Sequence, residues 1–250
     1  MTAAMVRSLR LVLTLVLLIG GLSATALGAQ ASDDPDRLYA EREDVAKALA
    51  AASIWDRRLA ANAGDFESAW KLARACYWLG SHVATDQRRS QLDRGIEAAR
   101  RAIAAEPKQA AGHFWLAATM GAMAEIAGMR AGLRYRGEIK RELEQVLALD
   151  AAYEKGSADR ALGRWYFKVP GLFGGDDQKS LEHLKRSLTY DPDSAASWSF
   201  MADTLRELGK RDEAKQALQK VLSAPVTDSE WAPETREFQR QAAAALQKLR

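Results

Sequence analysis

The 250-residue sequence holds a single cysteine, Cys76, so no intrachain disulfide can form. Cys76 falls inside an amphipathic pattern and reads as a small buried apolar residue. Histidine is almost as scarce. His82, His113 and His183 lie far apart, with no H-x-x-x-H or C-x-x-C spacing, so no metal site or other cofactor is expected. Neither charge sign dominates, with 36 Lys and Arg against 33 Asp and Glu. Residues 1–28 carry two arginines and no acid, which leaves 34 against 33 in the remainder. There is no basic tail or broad arginine stripe, so a nucleic-acid partner is not expected. Sustained strand alternation is missing and β-branched residues are sparse. Gly and Pro, 17 and 6 residues, fall mostly between periodic segments. The remaining class is a soluble, alanine-rich, mostly helical protein.

The long apolar run is confined to the N-terminus. Arg7 and Arg10 precede Leu11 to Ile19, and the small-residue exit SATALGAQA comes next. This is the pattern of an export signal, with cleavage expected after Gly28 or Ala31. The run is short for a membrane span of roughly 20 residues. The expected organisation is a signal peptide over residues 1–31 and a single helical domain over 32–250. The expected location is the periplasm, with an uncleaved N-terminal anchor as the alternative and the only membrane contact.

Helical periodicity organises the rest of the chain. In SAASWSFMADTLRELGKRDEAKQALQKVLSAP, Ser194 to Pro225, the first helix carries Trp198, Met201, Ala202 and Leu205 on one stripe. Gly209 opens a turn, and Ala214, Leu218 and Val221 mark a second helix. This matches the tetratricopeptide (TPR) pattern, in which a small residue in each helix lets two backbones approach. The same template fits Leu72, Ala73, Cys76 and Gly80 with Gly95, Ala99 and Ala102. It fits Leu116, Ala117 and Met120 with Ile139, Leu143 and Val146, and Leu162, Gly163 and Tyr166 with Ser180, Leu184 and Ser187. The segments HVATDQRRSQLDR, the stretch holding Gly121, Gly128 and Gly132, and KVPGLFGGDD are insertions between paired helices. Val45 to Leu59 reads as an unpaired second helix, and Glu234 to Leu249 as a helix able to cover the open end. The expected fold is therefore all-α: a TPR-like helical-repeat solenoid of about four helix pairs, with enlarged inter-helix turns and capping helices.

The segments GIEAARRAIAAEP, IKRELEQVLALD, ALGRWYFKVPGLFGGDDQKSLEHLKRSLTYDP and LGKRDEAKQAL resemble, in this order, two related families. One is the T-component family of TRAP-type transporter-associated periplasmic proteins. The other is the regulator of microtubule dynamics family. The resemblance covers roughly Leu59 to Leu249 and implies a TPR-like protein without catalytic activity. The T-component likeness implies docking to a periplasmic solute-binding protein, or holding a small hydrophobic or carboxylate ligand. Members of that group are often lipid-anchored through a cysteine at the cleavage site, and this chain has none near Gly28 or Ala31.

The glycine-rich GLFGGDD is not a phosphate loop, because no Lys-Ser/Thr follows its glycines at the spacing that would place it for phosphate and magnesium, and no strand precedes it. Asp176 or Asp177 is instead placed to cap the next helix, and Pro170 to end the previous one. No Ser, Cys or acid has the partner spacing of a nucleophile, so the chain is not expected to be an enzyme. Binding is expected on the concave face of the first helices. Trp70, Arg74, Tyr77 and Trp78 share one such face, spaced i, i+4, i+7, i+8. Phe114 with Ala118, Gly121 and Ala122 forms the next. Arg160, Arg164, Phe167 and Lys168 form the third, and Arg206 beside Asp203 the last. Paired arginines suit a carboxylate, and aromatics beside them suit an apolar body. Taken singly, each arginine reads equally as a solvated or paired surface charge, and Trp70 and Trp78 as core. The expected function is capture of a protein partner in this groove, with the transport-accessory role as the alternative. Either is compatible with a homo-oligomer.

Overall fold

In the computed structural model, residues 34–226 and 230–248 are described. The expected export segment lies outside them. The described residues form eleven α-helices and one 3-10 turn, with no strand among them. Helices α1 (Pro35–Ala40) and α2 (Val45–Ala61) lead into four antiparallel pairs. The pairs are α3 (Phe66–His82) with α4 (Thr85–Ala105), and α5 (Ala110–Ala127) with α6 (Met129–Leu149). Then come α7 (Ser157–Lys168) with α8 (Asp177–Tyr190), and α9 (Ala195–Glu207) with α10 (Arg211–Ser223). Helix α11 (Ala232–Lys248) closes the chain. This is the expected TPR-like solenoid.

Helix starts follow local chemistry. Asp34, Asp44, Asp65, Asp176 and Ser194 each accept a hydrogen bond from a first-turn N–H of the helix they precede, offsetting donors that have no intrahelical partner. Pairing follows the small residues. A Cβ on Gly95 would press on the Cβ of Cys76 across the α3–α4 contact, and one on Gly163 would press on the Leu184 side chain across α7–α8. Successive units are tied by buried hydroxyls. Ser180 meets Thr204 at 2.9 Å and Ser187 meets Ser197 at 2.6 Å, joining α8 to α9. The core forms two buried clusters. One runs from Tyr39 to Trp165 and the other from Leu181 to Ala242.

The three insertions take two forms. After α3, only Val83 and Ala84 lie outside helix before α4 begins, so most of HVATDQRRSQLDR adds helical turns to a 21-residue α4. Likewise Gly128, at φ 80°, is the only break between α5 and α6. The third insertion is a built turn. The N–H groups of Phe173 and Gly175 donate to the Pro170 carbonyl, and that of Asp176 to the Tyr166 carbonyl. Gly174 sits at φ 106°, and a Cβ on Gly175 would overlap the Val169 carbonyl oxygen. The Asp176 carboxylate then caps α8 through the N–H groups of Gln178 and Lys179. The isolated pattern of His183 suggests a solvated charged face, but the side chain is only 13 % exposed and bonds the buried Asp159 carboxylate at 2.7 Å.

Helix α11 does more than cover the last repeat. Its C-terminal half packs on α9 and α10 through Phe238, Ala242 and Leu246. Its N-terminal end reaches the first units of the solenoid, where Trp231 packs against the first core cluster. No helix among the described residues is long and apolar enough to cross a membrane.

Candidate functional site

The concave face and α11 together line a half-open chamber of about 750 Å³. Helix α5 supplies its longest wall. That helix is apolar on nearly every face, so one side packs into the core while Ala118, Gly121 and Ala122 are left facing the chamber. A Cβ added to Gly121 would find nothing within 4 Å. Tyr77 and Trp78 enter from α3, Phe114 and Trp115 from α5, and Trp165 from α7. Phe200 of α9, with Trp231 and Phe238 of the C-terminal segment, completes the aromatic lining. Tyr77 keeps 37 % of its area accessible, yet burial raises its hydroxyl to about 12. Both follow if the surface it exposes is the inner wall of the chamber.

The charges in the wall are mostly satisfied. Arg164 pairs with Asp203 at 2.9 Å and lies 3.7 Å from Glu125, which also meets Lys168 at 3.4 Å. Arg164 also stacks over Phe200, 4.8 Å from its centroid. Arg160 differs. Among the described residues its side chain makes no hydrogen bond and no ion pair. Burial draws its guanidinium below the ordinary arginine value, against the longer-range pull of Asp191, Tyr77 and Glu154. The turn before α7 places Arg160 there. Glu154, Lys155 and Gly156 are three consecutive left-handed residues, at φ 45°, 55° and 74°, and both side-chain-bearing residues line the chamber. Such strain costs about 1–3 kcal/mol per non-glycine residue and persists only where the surroundings impose it.

Six of the ten residues expected on the groove come together here: Tyr77, Trp78, Phe114, Arg160, Arg164 and Lys168. The other four lie elsewhere. Trp70 and Arg74 belong to a separate recess with Asp36, Tyr39 and Glu230. There Arg74 is stacked against Tyr39 and Trp70 and ion-paired with Glu230. Trp70 points almost the same way as Tyr77 but lies about 10 Å further toward the start of α3, where α1 and the segment from Glu230 to Arg236 wall off the second recess. Phe167 lies beside Arg164 but is not part of the lining. Arg206 is 56 % exposed and holds Asp203 at 3.3 Å, outside the chamber. The sequence reading missed the wall made by α11. Its signal was present: Trp231 and Phe238 lie seven residues apart on one face of a polar helix.

Comparisons with known proteins bear on the fold and the family. A family model described as Regulator of microtubule dynamics protein 1-3 matches residues 32–172, and a tetratricopeptide repeat model matches residues 175–233. Among solved structures, a thermophilic TPR protein of Thermus thermophilus is similar at 22% identity and a TM-score of 0.62. That alignment covers 85% of this chain and 97% of the other. A structure of MamA aligns over 80% of this chain and 95% of the other, at 17% identity and a TM-score of 0.48. No curated protein matches the chain. With more than half of its length matched by the first of these models, and with four helix pairs in the order that the repeat template requires, the chain belongs to the regulator of microtubule dynamics protein 1-3 family.

Proposed function

We propose that the chain is a non-enzymatic binding protein whose chamber holds a small, elongated molecule with an apolar body and an anionic end. Arg160 carries this reading. The Arg160 guanidinium is half-buried in the chamber wall with no side-chain partner, and an incoming carboxylate would supply charge-assisted bonds to it. The aromatic rings and the small-residue face of α5 suit the apolar body. Covered by α11, the chamber suits a small molecule or a thin chain segment better than the broad face of a folded partner.

The test uses 1-anilinonaphthalene-8-sulfonate, an apolar body bearing one anion. Arg160→Ala should weaken its binding by about tenfold or more, the scale of a charged hydrogen bond. Gly121→Leu should block it by filling the chamber, with an unchanged or higher Tm because the helix loses a glycine. Undiminished binding in both variants would refute the chamber as the site.

A protein partner is the second reading, and Leu172 favours it. This side chain is 90 % exposed on the rigid turn beside Pro170, and Pro170 lines the chamber. An exported T-component-like accessory would use such a knob to dock a periplasmic solute-binding protein. Leu172→Asp should then abolish capture of that class of protein from periplasmic extract without lowering Tm. Recovery equal to the parent would reject the knob, and absence of the protein from the periplasmic fraction would reject export.

A further inference from the structure

Helix α11 is attached to the molecule in two different ways. Its C-terminal half is held by apolar packing on α9 and α10, including Phe238 edge-on to Phe200 at 5.7 Å. Its N-terminal end combines apolar contact with a set of ion pairs. Arg42, only 1% exposed, donates to both carboxylate oxygens of Glu234, through Nε at 3.1 Å and Nη2 at 2.5 Å. Arg42 also donates to the Glu230 carbonyl, and it is flanked by Tyr39 and Trp78 at 4.8 and 5.1 Å. Arg74 pairs with the Glu230 carboxylate, and Arg236 with Glu43. His82, stacked on Trp78 at 3.6 Å, lies 3.7 Å from Glu237. Trp231, with the buried Ala232 and Pro233, supplies the apolar contact at this end. The same short segment supplies Trp231, Glu234, Thr235 and Glu237 to the chamber wall.

We propose that residues 230–237 form an ionic latch that fastens α11 across the chamber, and that releasing it admits and discharges the ligand. The inference rests on the chamber being the binding site. Packing sets where α11 is anchored, and ion pairs set whether it is closed. Apolar contact responds weakly to salt, whereas exposed ion pairs are screened within about 8–10 Å at ordinary ionic strength. The exposed Arg236–Glu43 and His82–Glu237 contacts are therefore the salt-sensitive part of the latch, while the buried Arg42 and Arg74 pairs are screened much less.

The experiment reads chamber access without any ligand. Gly121→Cys places a thiol in open space on the α5 wall. The native Cys76 stays silent, because burial pushes its thiol up to about 12. The rate of labelling by a bulky maleimide is compared in Gly121→Cys alone and with Glu43→Arg, with Arg236→Glu, with both, and with Glu234→Gln. Each charge reversal should speed labelling about fivefold, the scale of an exposed ion pair. The exchanged pair Glu43→Arg with Arg236→Glu should restore the parent rate. Glu234→Gln, which strips Arg42 of its carboxylate, should speed it further, and Trp fluorescence and helicity should confirm that the fold persists. Equal rates in all five proteins would overturn the latch. That outcome is separate from loss of dye binding in Arg160→Ala, which tests the chamber itself.

Discussion

Arg160 and Arg164 sit one helical turn apart on α7 and have different prospects. Arg164 is already neutralised by Asp203 and Glu125, so removing it takes one cation from each, leaving Asp203 with Arg206 and Glu125 with Lys168, and should disturb packing more than ligand affinity. Arg160 has no such partner, so its removal should act on ligand and not on fold. The expected outcome is a larger Tm loss in Arg164→Ala and a larger affinity loss in Arg160→Ala, read by thermal melts and dye titration. Gly175 offers a purely structural contrast. Because a Cβ there would overlap the Val169 carbonyl oxygen, Gly175→Ala should destabilise the protein by about 2–3 kcal/mol. Chemical denaturation would measure it as a lower midpoint with an unchanged slope.

Among the elements, the pH response of α11 follows from three groups at its N-terminal end. Burial opposes the charged form of His82. The bond to Glu237, the Trp78 carbonyl and the charges of Glu237 and Glu234 outweigh it and hold the imidazole above its ordinary 6.5. The His82 contact and nearby Arg240 hold Glu237 below its ordinary 4.5, and the Arg236 bond, with Arg240 and Arg42 beyond it, does the same for Glu43. The signs are opposite. The His82 contribution is complete below its unfolded value and fades as pH rises through the raised one. The Glu43 and Glu237 contributions are complete above their unfolded values and fade as pH falls through the depressed ones. The latch should be tightest between about pH 4.5 and 6.5. Amide exchange across 230–241, corrected for intrinsic rates, should be slowest in that window and faster on both sides. Uniform protection from pH 4 to 9 would rule this out. The 169–176 turn makes the opposite forecast. It is closed by backbone bonds and glycine geometry, so shortening it should lower Tm at every pH.

For the whole molecule, ligand and closure should be coupled. A ligand that binds only the closed fold at a hundredfold excess over Kd adds about 2.7 kcal/mol. That corresponds to a rise of several degrees in Tm. The same ligand should slow labelling at Gly121→Cys in the parent and restore part of the closure in Arg236→Glu.

The repeat grammar was legible because it is local. Gly80, Gly95 and Gly163, each paired with a larger residue on the facing helix, announced helix pairs through spacing alone. The family-marking turn and its Asp176 cap were legible for the same reason. Half of the candidate site was also legible, since α5 and α7 point their concave faces inward wherever the pairs stack. Two things were not. Trp70 and Arg74 share a helical face with Tyr77 and Trp78, and it is the segment 230–237, far away in the chain, that lies across that face and divides one recess from the other. Helix α11 reads as a plain amphipathic cap.

By itself the sequence determined a family fold, because helix periodicity, caps and small-residue contacts act over a few residues. Tertiary structure alone decided that the groove is covered. That depends on Glu230, Glu234 and Arg236 meeting Arg74, Arg42 and Glu43, partners more than 150 residues away in the chain. Nothing in local spacing encodes such pairings. They exist because stacking of the four helix pairs brings the two ends of the solenoid within reach of one helix.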